Sequence, residues 1–214
     1  MGGLEPVRSS HQGLIGGRRT TRSPLGLALV TALCEAARMV RYERLARDPS
    51  TLDGLKDLGV VDRLASAVRA HLEGSERLLE GLNLHGTQSR AIQNHVGSVL
   101  EDELLFRSEV VLTPDSGFVT RARADFFFAL PSGGVIAEVE RGGTTANNHD
   151  LKDLWKAHLA VDVQHLFLVV PLELTNAQGV VRERPFPKVV RRMSAFFGDP
   201  RRFVDVTSVH VFGY

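Results

Sequence analysis

Arg123-Ala-Asp125-Phe-Phe-Phe128, Leu130-Pro-Ser-Gly-Gly134 and Val135-Ile-Ala-Glu138-Val-Glu140 together form the stretch whose reading decides the fold. Two apolar, β-favouring runs flank Pro131, Ser132, Gly133 and Gly134, the composition of a hairpin loop between antiparallel strands. With Leu130 opposite Val135, Asp125 falls opposite Glu140 and Phe127 opposite Glu138. Strand side chains alternate with period two, so Glu138 and Glu140 share a face, and a register slip of two residues keeps Asp125 on it. The other face carries Phe126, Phe128, Leu130, Val135, Ala137 and Val139. Phe127 and Ile136 stand among the acids, so neither face reads as solvated and the hairpin belongs inside a sheet covered on both sides.

Like charges opposed on a partly buried sheet repel, and desolvating a carboxylate costs several kcal/mol. A hard divalent cation with oxygen ligands is the simplest compensation, the alternative being an acidic rim on a solvent-facing edge hairpin. Downstream, Arg141-Gly-Gly-Thr-Thr-Ala146 forms a turn, and Asn147-Asn-His-Asp150-Leu-Lys152-Asp-Leu-Trp155-Lys156-Ala-His-Leu159 reads as an amphipathic helix with Leu151, Leu154, Trp155 and Leu159 as its apolar stripe. Lys152 and Lys156, four apart, stack on one face, where pairing with Asp153 or Glu140 is the bland alternative to a role in a site. His165-Leu-Phe-Leu-Val-Val170 then reads as a buried strand ended by Pro171. Upstream, Ile92, Val96, Val99, Leu100, Leu104 and Leu105 recur at helical spacing from about Ser89 to Phe106, with Glu101 and Glu103 between them.

The order of acid, turn, Glu-x-Glu, lysine-bearing helix and apolar strand resembles the core of the PD-(D/E)XK nuclease superfamily, over residues 88–171. The resemblance implies an α/β, restriction-endonuclease-like fold: an αβββαβ core with a central mixed sheet flanked by helices, behind an N-terminal helical extension. It matches Asp125 to the family's first acid and Glu138 to its second, with Glu140 at the position where the family usually has lysine. Gly97-Ser-Val-Leu-Glu101 is similar to the family's helical acid segment. A catalytic set of Asp125, Glu138, Glu140, Glu101 and Lys156 follows, Lys156 supplying from the helix the charge that Glu140 cannot. Asp125, Glu138 and the carbonyl of Val139 would hold Mg²⁺, with Mn²⁺ as a substitute, and Arg141, Arg123, Lys152 and Asn148 would meet DNA. The activity implied is metal-dependent hydrolysis of duplex DNA, foremost by a type II restriction-type endonuclease working as a homodimer beside a separately encoded DNA methyltransferase. The alternatives are a structure- or modification-dependent repair or phage-defence nuclease, and a catalytically inactive DNA-binding module with the same fold.

The 214 residues, 43% hydrophobic, suffice for a proper core. A formal charge of +1 hides uneven placement, with arginines at 18, 19 and 22, around the hairpin at 121, 123 and 141, and in a C-terminal run from Arg182 to Arg202. The lone cysteine, Cys34, excludes an intramolecular disulfide and suits a cytoplasmic protein, and the eight histidines show no close ligand pair. Three segments are expected: residues 1–23 as a flexible basic arm, 24–86 as a helical extension for dimerisation or DNA contact, and 87–214 as the nuclease core. In the extension, a helix runs from Leu25 to Ala46, Asp48-Pro49-Ser50 breaks it, Ser50 caps the next, and helical segments follow over 52–58 and 60–79. The Leu25–Leu33 apolar run is too short to span a bilayer, so no membrane role is expected. A C-terminal helix over 188–197 and strands near 203–206 and 208–212 complete or flank the sheet.

Overall fold

The structure, a computed structural model, describes residues 40–112, 122–199 and 201–214. The expected arm, Cys34, Arg121 and the part of the N-terminal helix before residue 40 lie outside them. Where that helix was expected to end, Arg41–Ala46 forms a strand, β1. Glu43, Arg44, Leu45 and Ala46 are good helix formers, but pairing with a strand at the far end of the chain, from Arg41 opposite Gly213 to Ala46 opposite Ser208, overrides local propensity.

Helix α1, Leu52–Gly74, is capped by Thr51 rather than Ser50; the Thr51 hydroxyl accepts the Gly54 N–H at 3.0 Å. It runs unbroken past Gly59, whose cost of about 1 kcal/mol is outweighed by burial of Val61, Leu64, Ala65, Val68 and Leu72. There follow α2 (Glu76–Leu82), α3 (Ser89–Gly97) continuing into a π-helical turn over Ser98–Glu103, then β2 (Arg107–Val111), β3 (Arg123–Phe128) and β4 (Gly134–Val139). Next come α4 (His149–Leu159), β5 (Val163–Val170), the short strands β6 (Leu174–Thr175) and β7 (Val181–Glu183), α5 (Pro185–Gly198) and β8 (Ser208–Gly213).

Six strands form one mixed sheet in the order β1-β8-β5-β4-β3-β2, with β4, β5 and β8 parallel at its centre. Period-two alternation splits the core into two layers. Val135, Ala137, Val139, Phe167 and Phe212 pack with Val61, Val68, Ile92 and Val96 of α1 and α3, while Ile136, Leu166, Leu168, Val209 and Val211 pack with Leu154, Ala157, Val189 and Met193 of α4 and α5. Residues 40–86 are therefore built into the sheet and its first layer, which corrects their reading as an all-helical extension. Every residue of β4 is buried, as expected of a hairpin strand inside a covered sheet.

The hairpin register differs from the expected one by two residues: Phe128 pairs with Val135, Phe127 with Ile136 and Phe126 with Ala137. The turn spans Leu130 to Gly133, closed by the Gly133 N–H on the Leu130 carbonyl, with Gly133 at φ +128. It consumes Ala129 as well. Asp57 of α1 pins it, accepting from the Ser132 amide at 2.7 Å and the Ser132 hydroxyl at 2.5 Å. Residues 203–206, expected as a strand, are irregular, because the Arg47 guanidinium takes the carbonyls of Val204 and Val206 that a strand partner would have bound. Among the described residues, no helix is long and apolar enough to cross a membrane.

A buried polar chain links β1, β8 and β5: Tyr42 hydroxyl to His210 Nδ1 (2.7 Å), His210 Nε2 to Ser208 Oγ (3.1 Å), and Ser208 Oγ to His165 Nδ1 (2.8 Å). Donors and acceptors alternate along it in either direction only if both imidazoles are neutral. Burial lowers His165 to about 4 and His210 to about 3. The unfolded histidines titrate near 6.5, so the unfolded chain binds more protons between about pH 4 and 6.5, and this contribution to stability is present above 6.5 and lost as the pH falls. His210→Gln should therefore flatten the fall in unfolding free energy from pH 6.5 to 4 by roughly 3 kcal/mol, measured by urea denaturation. An unchanged slope would contradict a neutral buried His210.

Candidate active site

Beyond the Phe126–Ala137 pair, β3 and β4 part. Continued by one residue, their register sets Asp125 opposite Glu138, but Asp125 Oδ2 accepts the Val139 N–H at 3.0 Å, so a side chain replaces the ladder bond. The departure lies at the carboxyl end of β4, beside parallel β5, where α/β sheets place ligands. Glu138 points from β4 towards α4. Glu140 follows just past the strand, with its N–H on the Val169 carbonyl and its own carbonyl accepting the Tyr214 hydroxyl at 2.9 Å.

The face of α4 towards Glu138 is more polar than its sequence pattern indicated. Asp150, Asp153, Leu154 and Ala157 are its buried positions, whereas Trp155, expected in the apolar stripe, is 53% exposed. Lys156 turns inward. Its Nζ lies 2.7 Å from Glu138 Oε1 and 3.2 Å from Asp153 Oδ1, with the side chain 19% exposed against 5% for Glu138 and 7% for Asp153. One ammonium is thus shared by two buried carboxylates, with Asp125 adjacent.

Such a cluster is electrostatically unfavourable, and its proton affinities show it. Burial, then the neighbouring Asp153 charge, pushes Glu138 well above the usual carboxylate range despite Lys156. Burial likewise raises Asp153 to about 6 and raises Asp125, the latter offset in part by the Val139 N–H. For Lys156, burial acts downward but the Glu138 and Asp153 charges outweigh it and hold the ammonium above its ordinary value. Asp153 Oδ2 is buried without a hydrogen-bond partner among the described residues. Hard carboxylate oxygens in excess of positive charge, one of them unpartnered, fit a divalent cation by donor chemistry. Among the described residues, no three His, Cys, Asp or Glu side chains converge into a ready-made cage.

Of the residues expected in the site, Asp125, Glu138 and Lys156 come together, and Glu140 stands at its edge, bonded to His149 Nδ1 at 2.9 Å. Glu101 lies exposed on the π-helical turn and makes no hydrogen bond or ion pair with these groups among the described residues. Arg123 is exposed and pairs with Glu109 at 3.1 Å, Lys152 and Asn148 are exposed, and Asn148 adopts a left-handed conformation at the N-terminus of α4. Arg141 donates to the carbonyl of Leu84, away from the carboxylates.

Two residues extend the cluster beyond the expected set. Asp153 had a signal, since it stands three before Lys156 on one helix face, although as a mere surface partner. Glu109 had none. On β2 it lies between the pairs Ser108–Phe126 and Val110–Ala124, hence opposite Asp125, at φ +52, a conformation that costs a non-glycine residue of order 1 kcal/mol or more. Its charge adds to the upward shift of Asp125.

No family model matches this chain, and no curated protein matches it. Among solved structures it is similar to the restriction endonuclease BGLII complexed with a DNA 16-mer, with a TM-score of 0.45 and 7% sequence identity over 81% of this chain and 77% of the other.

Proposed function

We propose that the chain is a metal-dependent deoxyribonuclease of the PD-(D/E)XK type that hydrolyses phosphodiester bonds of duplex DNA, foremost a type II restriction-type endonuclease. The observation that carries this reading is Lys156 Nζ held 2.7 Å from Glu138 and 3.2 Å from Asp153 beside Asp125, at the carboxyl end of β4. Carboxylates alone could only worsen the charge on a phosphodiester. An ammonium fixed among them can offset it as it develops, and carboxylates gathered against a buried lysine are otherwise a liability.

Asp125 and Glu138, with the Val139 carbonyl, would hold Mg²⁺, or Mn²⁺ in its place, which supplies Lewis-acid polarisation of the phosphate and a water of lowered pKa. Asp153, with its unpartnered oxygen, joins this set from α4. Lys156 places its positive charge against the phosphate oxygens in the transition state. Glu140, oriented by His149 and by the Tyr214 hydroxyl on its carbonyl, takes the proton of the attacking water. Arg123, Lys152 and Asn148 would meet the DNA backbone, with Arg141 further round the loop. Glu101 would act only on approach of the substrate. One site cuts one strand, so a symmetric duplex site calls for a homodimer, and a restriction role calls for a partner methyltransferase and a cytoplasmic location.

A second reading, a DNA-binding module without catalysis, is favoured by the lack of a ready-made metal cage among the described residues. Unmethylated phage DNA incubated with the protein and Mg²⁺ separates the possibilities. Discrete fragments of reproducible length are expected. Cutting only at junctions, ends or modified bases would replace the restriction role with a structure- or modification-dependent one, and salt-dependent binding without cutting would favour the silent module.

A further inference from the structure

The loop Arg141–Asn148, between Glu140 and α4, borders a cavity on its own span. This open cavity has a volume of about 700 Å³, within the range of small-molecule sites. It is lined by Arg141, Arg182, Lys188, Arg191 and Arg192, with Glu183 as the one lining carboxylate. Neither Asp125, Glu138, Asp153 nor Lys156 lines it.

Arg192 and Arg141 are part-buried and held in place, whereas Lys188, Arg182 and Arg191 are exposed. Arg192 is held from below, 2.8 Å from the fully buried Asp150 and donating to the Thr145 carbonyl at 3.2 Å. Glu183 is engaged by the Thr145 hydroxyl and by Lys188 at 3.3 Å, which lowers its pKa and fixes its charge as part of the wall. Arg141 is tied to the Leu84 carbonyl, yet its Nε is buried without a partner among the described residues. Arg182 and Arg191 form no ion pair among the described residues, and both are exposed at the rim. A buried N–H without an acceptor is unfavourable until a ligand supplies one. Five cations against the two carboxylates of Asp150 and Glu183 leave an excess of positive charge that an anion would offset. The geminal oxygens of a phosphate match guanidinium forks, and a monoester carries nearly two charges at neutral pH.

We propose that this cavity binds a phosphate ester, with room for a mononucleotide, independently of the carboxylate–lysine cluster. The phosphate could be supplied by a free nucleotide or by a nucleic-acid strand. Isothermal titration calorimetry with deoxyadenosine 5′-monophosphate on the full chain, in EDTA and at fixed ionic strength, tests it. Binding in the millimolar range or tighter is expected, absent for deoxyadenosine. The affinity should fall at least about tenfold in Arg182→Ala/Arg191→Ala, as removing two charged partners of an anion requires. Displacement of the nucleotide by a short duplex would assign the phosphate to a strand, and failure of displacement to a free nucleotide. No binding by the wild type, or equal binding by the double variant with its fold retained by circular dichroism, overturns the proposal. The measurement needs no turnover. Cleavage without nucleotide binding would sink this inference alone, and nucleotide binding without cleavage would leave it standing while removing the nuclease reading.

Discussion

Lys156→Ala is expected to lower DNA cleavage by at least about 100-fold, the usual cost of removing one group that stabilises transition-state charge, and to destabilise the fold as well. The stability term follows from the same geometry. Without the ammonium, Glu138 and Asp153 remain buried with no compensating charge. Removing one partner of a buried pair costs about 3–5 kcal/mol, an upper bound here because both acids can take up protons. Their folded-state pKa values are already raised and rise further in the variant, so the folded chain then binds more protons than the unfolded one. The loss should be largest near pH 8 and shrink towards pH 5. Urea denaturation at both pH values, with single-turnover cleavage, checks this. A variant with wild-type rate and pH-independent stability would return Lys156 to an ordinary helix surface.

Glu138→Ala should abolish cleavage while preserving DNA binding in EDTA, or tightening it. The substitution removes a buried negative charge near the phosphate and releases Lys156 from its closest partner. It also relieves the repulsion between Glu138 and Asp153 and leaves Lys156 paired with Asp153, so the folded chain should lose less stability at neutral pH than Lys156→Ala does. Gel-shift titration and chemical denaturation separate these effects from simple misfolding. Retained cutting would refute the assignment of Glu138.

Much of this site could be read from the chain because it depends on period-two alternation. Asp125, Glu138 and Glu140 share a face whether the hairpin pairs as expected or two residues away, so the register error left the constellation intact. The inward turn of Lys156 could not be read. Helical spacing grouped it with Lys152, and only the packing of Leu154 and Ala157 against β4 and β5 decides which lysine faces the acids. Likewise Arg41–Ala46 has the composition of a helix, and its strand state exists because β8, more than 160 residues away, offers an open edge. Glu109 stands opposite Asp125 in a left-handed backbone conformation that no spacing rule encodes. Long-range pairing and the choice of helix rotation are what local pattern leaves undetermined.

The most direct measurement is conversion of supercoiled plasmid by wild-type protein and Glu138→Ala, each with Mg²⁺, with Mn²⁺ and with EDTA. Metal-dependent nicked or linear product from the wild type alone is the predicted result. Plasmid left supercoiled by a folded wild type with either metal, or cut equally by both proteins, would contradict the assignment of a phosphodiesterase site to Asp125, Glu138, Asp153 and Lys156.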